Sequence, residues 1–265
     1  MRRFAGLALL PLLVSGCFGT PPPASVVAVP SETVGILPGE TTWRGEILMT
    51  GDVLIPAGSS LTILPGTTVR IRAAEGTKID PEYLSSATEL LIRGSLRVLG
   101  TLGEPVRFVP EKPEVGSEAV WAGIELDGAE TSEVWGAEIL RAESGLLIIG
   151  GSPVVVANRI SASRYGIIVQ AGGAPQILDN LISDGEGGVF LWSGARPYLK
   201  GNTIRGHQEE GIFVATGCRP YLDRNTVTGN DIGVAIAEGD LPVDRVGVSG
   251  NRVDLLHLFG QGRRP

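Results

Sequence analysis

Pro175-Gln-Ile-Leu-Asp-Asn180, then Leu181-Ile-Ser183 and Gly188-Val-Phe-Leu191, is one unit of a repeat, and that repeat decides the fold. The first phrase returns as Pro153-Val-Val-Val-Ala-Asn158, Pro197-Tyr-Leu-Lys-Gly-Asn202 and Pro220-Tyr-Leu-Asp-Arg-Asn225. With Asn251, the asparagines fall 22, 22, 23 and 26 residues apart. A second phrase keeps step: Gly145-Leu-Leu-Ile, Gly166-Ile-Ile-Val, Gly188-Val-Phe-Leu, Gly211-Ile-Phe-Val and Gly233-Val-Ala-Ile. Short β-branched runs and turn residues at a period near 22 describe a solenoid, in which each unit buries its apolar face only against its neighbours.

Upstream, Trp43 to Ile71 alternates in short runs broken by Gly51-Asp, Pro56-Ala-Gly and Pro65-Gly turns. Leu61, Ile63, Val69 and Ile71 are expected to point inward, Thr62 and Arg70 outward. Polar stretches interrupt at 73–89, where Pro81-Glu-Tyr-Leu84 suggests one helical turn, and at 111–118. One coil therefore has three short strands, stacked ~4.8 Å from the next. Asn158, Asn180, Asn202, Asn225 and Asn251 are expected to form a hydrogen-bonded ladder inside a turn, themselves adopting its left-handed conformation. Such a ladder is the structural reading of these residues, against a ligand role.

These phrases resemble the right-handed parallel β-helix family, the pectin-lyase-like superfamily, over residues 43 to 255. The opening is similar to its tryptophan-glycine strand and Pro-Gly-Thr turn, the later part to its Pro-x-Ile-x-x-Asn and Gly-Ile-x-Val repeats. The resemblance implies an all-β, single-domain right-handed parallel β-helix of about nine or ten coils. It divides the chain into N-terminal coils at 42–122, regular repeats at 123–252 and a cap and tail at 253–265. The apolar tail, including His257, is expected to fold over the last coil as a plug.

Residues 1–16 read as a signal peptide: Arg2 and Arg3, then an apolar run too short for the ~20 residues of a membrane span. Leu13-Val-Ser-Gly-Cys17 resembles the lipobox of bacterial lipoproteins, which implies cleavage before Cys17 and lipidation of that residue. The expected partner is then a membrane, reached through the lipid anchor. Residues 17–41, with Pro21-Pro-Pro23, read as an extended linker. Phe18 follows the cysteine where enteric inner-membrane lipoproteins carry Asp, so by analogy the place is the outer membrane or a periplasm-facing site. If Cys17 is lipidated, Cys218 has no partner, and it occupies the slot of Ala195 one coil earlier, as a packing residue. The net charge is −7, and without Arg2 and Arg3 there are 20 basic against 29 acidic residues. Such a surface repels phosphate backbones, which excludes nucleic acid as a partner.

Two outward regions are candidate sites. Ile168, Phe190, Phe213 and Ala235 share one outward position, and Tyr198 and Tyr221 follow the repeat prolines. With Trp192, Arg196 and Arg219 they offer aromatic faces for pyranose rings and guanidiniums for carboxylate or sulfate. The alternative is a stripe covered by the linker, a loop or a protein partner. The second region is the turn before each Gly phrase, with Asp184, Glu186, His207, Glu209, Glu210 and Asp231. Stacked carboxylates there could bind Ca²⁺ or act as an acid–base pair on a glycosidic bond, or be a solvated acidic ridge. Polygalacturonase motifs are absent, Gly206-His207 being followed by Gln208, and no pectate-lyase cluster of acids beside an arginine is found. The leading expectation is a non-catalytic envelope module for a glycan or protein partner. A polysaccharide lyase or glycoside hydrolase is the second. A third is an accessory protein similar to the β-helical family of nitrous-oxide reductase maturation, for which no Met, His or Cys cluster suited to copper is present.

Overall fold

The chain winds as stacked triangles. The computed structural model describes residues 31–74, 84–112, 119–239 and 245–259. The lipobox, the proposed helical turn at 81–84 up to Leu84, and most of the 111–118 excursion lie outside these residues. Among the described residues there is no helix, and all strand pairs are parallel, giving about nine coils.

In a regular coil the first face is a strand such as Gln176–Leu178, the second Leu181–Ser183 and the third Gly187–Leu191. First-face strands stack into an eight-stranded sheet. The other two faces join into an eighteen-stranded sheet because Glu46–Ile55 is one bent strand that serves both. Register follows the repeat: Ile177 pairs with Leu199 and Leu199 with Leu222, while Val189 pairs with Ile212 and Ile212 with Val234. These inward columns are buried and form one continuous core. Leu61, Ile63, Val69 and Ile71 are fully buried as alternation requires.

The corner between first and second faces is locked by the asparagines. Asn180 donates its backbone N–H and its amide to Asn202 Oδ1, at 3.0 and 2.9 Å. Asn158 does the same to Asn180, and Asn202 to Asn225. Each amide also reaches a carbonyl of the coil below, as Asn202 Nδ2 does to Ile177 O at 2.8 Å. The left-handed residue of this turn is the one before each asparagine: Ala157, Asp179, Gly201 and Arg224 have φ of 53°, 53°, 68° and 51°. The asparagine is free to bond because its neighbour makes the bend.

Asn251 stands in a different column, at the corner between second and third faces. Asn230 donates its backbone N–H to Asn251 Oδ1 at 3.0 Å, and its amide at 2.9 Å. His207 donates its N–H to Asn230 Oδ1 at 3.0 Å. A second ladder thus runs through His207, Asn230 and Asn251.

The glycine of each Gly phrase follows from this corner. A Cβ at Gly211 would lie 2.6 Å from Val227 Cγ1 and 2.8 Å from Gly233 O. The coils are too close there for any side chain.

Both ends differ from expectation. Ser31–Ile36, read as linker, and Glu40–Trp43, of which Glu40 and Thr41 were read as linker, are strands paired with Glu46–Ile55 and Ser60–Ile63. The described part of the tail does not fold over as a plug: Val253–His257 continues the third face, with His257 opposite Ile236. Edge pairing satisfies a whole row of backbone groups, which a folded-over tail cannot.

Candidate functional site

The third face carries the outward stripe foreseen from the repeat. Ile168 pairs with Phe190, Phe190 with Phe213 and Phe213 with Ala235. In the first half of the molecule the same outward row is buried, at Leu54, Leu91 and Glu125. On the same strand as Leu91, the buried Glu89 carboxylate accepts the N–H groups of Leu84 and Ser85 at 2.8 and 2.9 Å. On the third face, among the described residues, the accessible aromatic side chains lie on the later coils.

There the rings form one cluster. Phe190 and Phe213 stack with centroids 5.5 Å apart, and Tyr165 meets Phe190 edge-on at 4.9 Å. Trp192 leans over both, 4.7 Å from Phe213 and 6.4 Å from Phe190. The cost to Phe190 is its own accessibility: it is buried, while Phe213 is half-buried and Trp192 is 40% exposed. The sequence placed Trp192 on this turn without indicating that it would lie on the stripe.

Tyr198 and Tyr221 lie on the first face, stacked at 5.2 Å, so the aromatic candidates occupy two faces. Tyr221 is exposed and accepts a hydrogen bond on its hydroxyl from Arg245 Nη1 at 2.8 Å. In chain order Arg196 and Arg219 stand between the two ring groups, on the turns that join those faces. Both are exposed, and neither takes a carboxylate partner among the described residues. Cys218, beside Arg219, packs against the core as expected.

The acidic turn is less available than its composition suggests. Arg164 Nε donates to Glu186 at 2.8 Å, and Arg252 grips Asp231 through two nitrogens. That grip holds the Asp231 carboxyl below the usual carboxylate range. His207 is buried within the second ladder, accepting from Gly185 N–H on Nδ1 at 3.3 Å with Nε2 against Ile182 O at 3.3 Å. Burial pushes its pKa down. Asp184 and Glu209 are exposed. Glu210 is half-buried, and its carboxyl is pushed up by burial, then by Glu209 and Asp231. No group of three or more His, Cys, Asp or Glu converges among the described residues, so these side chains build no calcium or copper cluster there.

Structures of the periplasmic alginate epimerase AlgG are similar in fold at 12% identity. One mutant covers 84% of this chain and 76% of its own, with a TM-score of 0.39. A double mutant covers 86% and 75% at 0.41, and the unmutated enzyme 83% and 75% at 0.36. No curated protein sequence matches the chain. Residues 122–256 match the family described as "Right handed beta helix region". That match spans just over half of the sequence, and with the parallel coils above it places the chain in the right-handed β-helix family.

Proposed function

We propose that this chain is a lipid-anchored β-helix of the bacterial cell envelope that binds an acidic polysaccharide and does not process it. The observation that carries the reading is the ring cluster Phe190–Phe213–Trp192 together with two guanidiniums on the following turns, Arg196 and Arg219, that take no carboxylate partner among the described residues. Aromatic faces take the apolar faces of sugar rings, and a guanidinium holds a carboxylate or sulfate with two parallel hydrogen bonds. Successive coils repeat both features at a spacing of ~4.8 Å, which suits an extended polymer better than a compact ligand. The pairing of Glu186 and Asp231 with arginines argues against that turn as a catalytic pair.

The test is retention of the chain on immobilised polygalacturonate and on a neutral galactan. Retention on the acidic gel alone, lost in Phe213→Ala and Arg219→Ala, is the expected result. Equal passage through both gels would sink the proposal.

One observation favours a second reading, an enzyme acting on the same polymer. Glu210 has a carboxyl pushed up by burial at the edge of the aromatic face, as a general acid requires. New reducing ends or unsaturated uronates, abolished by Glu210→Gln, would replace the binding reading with this one.

A further inference from the structure

On another corner of the molecule, between the first and second faces, lies a cleft of about 340 Å³ that includes none of the residues of the two candidate sites above. Its origin is an insertion. Later coils turn this corner in two residues, Asp179-Asn180 or Gly201-Asn202, whereas the connection between Ser95–Leu99 and Val106–Pro110 takes six. The extra loop is braced internally: Thr101 N–H donates to Glu104 O at 3.1 Å, and Glu104 N–H to Thr101 Oγ1 at 3.0 Å. It is tied to the previous coil by Gly66 N–H on Glu104 O at 3.1 Å. Leu102 and Pro105 form the wall it adds.

Trp135 forms the apolar side of the cleft. It sits at the end of the Glu133–Trp135 strand and is 45% exposed, the only tryptophan besides Trp192 that the described residues leave open. The polar side is the second-face row Arg107, Glu138, Arg159, adjacent in register. Arg107 Nε donates to Glu138 Oε2 at 2.9 Å, so the carboxylate is already matched. Arg159 lines the cleft, is exposed, and has no ion-pair partner among the described residues. The row carries one positive charge in excess on a protein whose net charge is −7.

We propose that this cleft is a binding site for a single carboxylated sugar unit, a hexuronate. The ring lies on Trp135 and Leu102, and its carboxylate is held by Arg159. The volume lies at the low end of the ~300–1,000 Å³ of ligand pockets, enough for one or two rings and not for a folded partner. A bare apolar ligand would leave the Arg159 charge unused, and a cation would meet it. The site stands independently of the polysaccharide face proposed above, since the two share no residue.

Titration of the full chain with galacturonate and with galactose, followed calorimetrically, tests the assignment. Galacturonate is expected to bind at millimolar concentration and galactose at least about tenfold more weakly. Arg159→Gln and Trp135→Ala should each weaken galacturonate by about tenfold or more, with unfolding midpoints unchanged because both side chains are exposed. Trp135→Phe, which keeps a ring, covers the case in which the alanine variant does not fold, and should bind more weakly than the wild type but measurably. Equal affinity for the two sugars, no heat with galacturonate, or unchanged affinity in Arg159→Gln would each overturn the proposal.

Discussion

His207 takes the backbone N–H of Gly185, one coil away, on its Nδ1, in a column whose next member is an asparagine. The bond needs the neutral ring, and burial holds the pKa below the ordinary 6.5 despite Asp184 nearby, which favours the proton. Above 6.5 both folded and unfolded chains carry a neutral imidazole, and the group adds no pH dependence. Below 6.5 the unfolded chain takes up a proton that the folded chain resists, so stability falls with pH. His207→Asn, matching Asn230, should remove that part of the decline. Urea unfolding of both proteins at pH 7.5 and 5 gives the comparison, and an identical loss in the two would count against it.

Asn202 satisfies four buried groups: the N–H and amide of Asn180, the carbonyl of Ile177 and Oδ1 of Asn225. Asn202→Ala leaves several of these without partners, at about 1–3 kcal/mol each. A loss of about 3 kcal/mol or more in denaturant unfolding is expected. A loss under about 1 kcal/mol would mean that water replaces the amide.

Gly211→Ala should be as damaging as a core mutation although it adds one methyl group. Its Cβ would press on Val227 and on the Gly233 carbonyl, and the backbone of the next coil would have to move. Destabilisation of about 1–3 kcal/mol or more is expected, read from the unfolding midpoint. Ala at the open turn position Gly217 serves as the contrast only for strain, since its φ is 79° and no atom lies within 4 Å.

Arg196→Ala and Arg219→Ala should weaken polysaccharide retention without changing stability, because both side chains are exposed and take no ion pair among the described residues. Removing both should reduce affinity by about tenfold or more and flatten its salt dependence. Retention that is indifferent to salt would point to the rings alone.

Cys17→Ser should move the protein from the membrane to the soluble fraction if the lipobox is used. Unchanged sedimentation, with no lipid on the mature chain, would remove the anchor from the proposal.

The parts of the structure legible in the sequence were those with an inward–outward alternation repeated coil on coil. Phe190, Phe213 and the two tyrosines fell in their columns because a 22-residue lap returns each to the same place. Asn251 was misplaced for the same reason: 26 residues from Asn225 is close to a lap, but its partner Asn230 lies 21 residues back. The column Ser163, Gly185, His207, Asn230 was itself readable at 22, 22 and 23 residues, yet it changes residue type at each step. The left-handed residue was assigned to the asparagine on propensity, whereas tertiary bonding placed it on Ala157 and Arg224. Ser31–Ile36 has a polar, half-exposed pattern that is hard to tell from linker, and edge pairing alone makes it a strand. The Trp135 cleft was invisible because it depends on a loop length, and no side-chain pattern announces it.

The asparagine column begins where Asn158 receives the N–H of Ala137, and below that level this corner has none. Above it, the amides act as a ruler, and a lap that gained a residue at that bend would fall out of phase with all that follow. Below it, no asparagine measures the bend, and a lap can lengthen there. The six residues at 100–105 lie on the unmeasured side. New surface can be grown at one end of such a molecule while the other end keeps time.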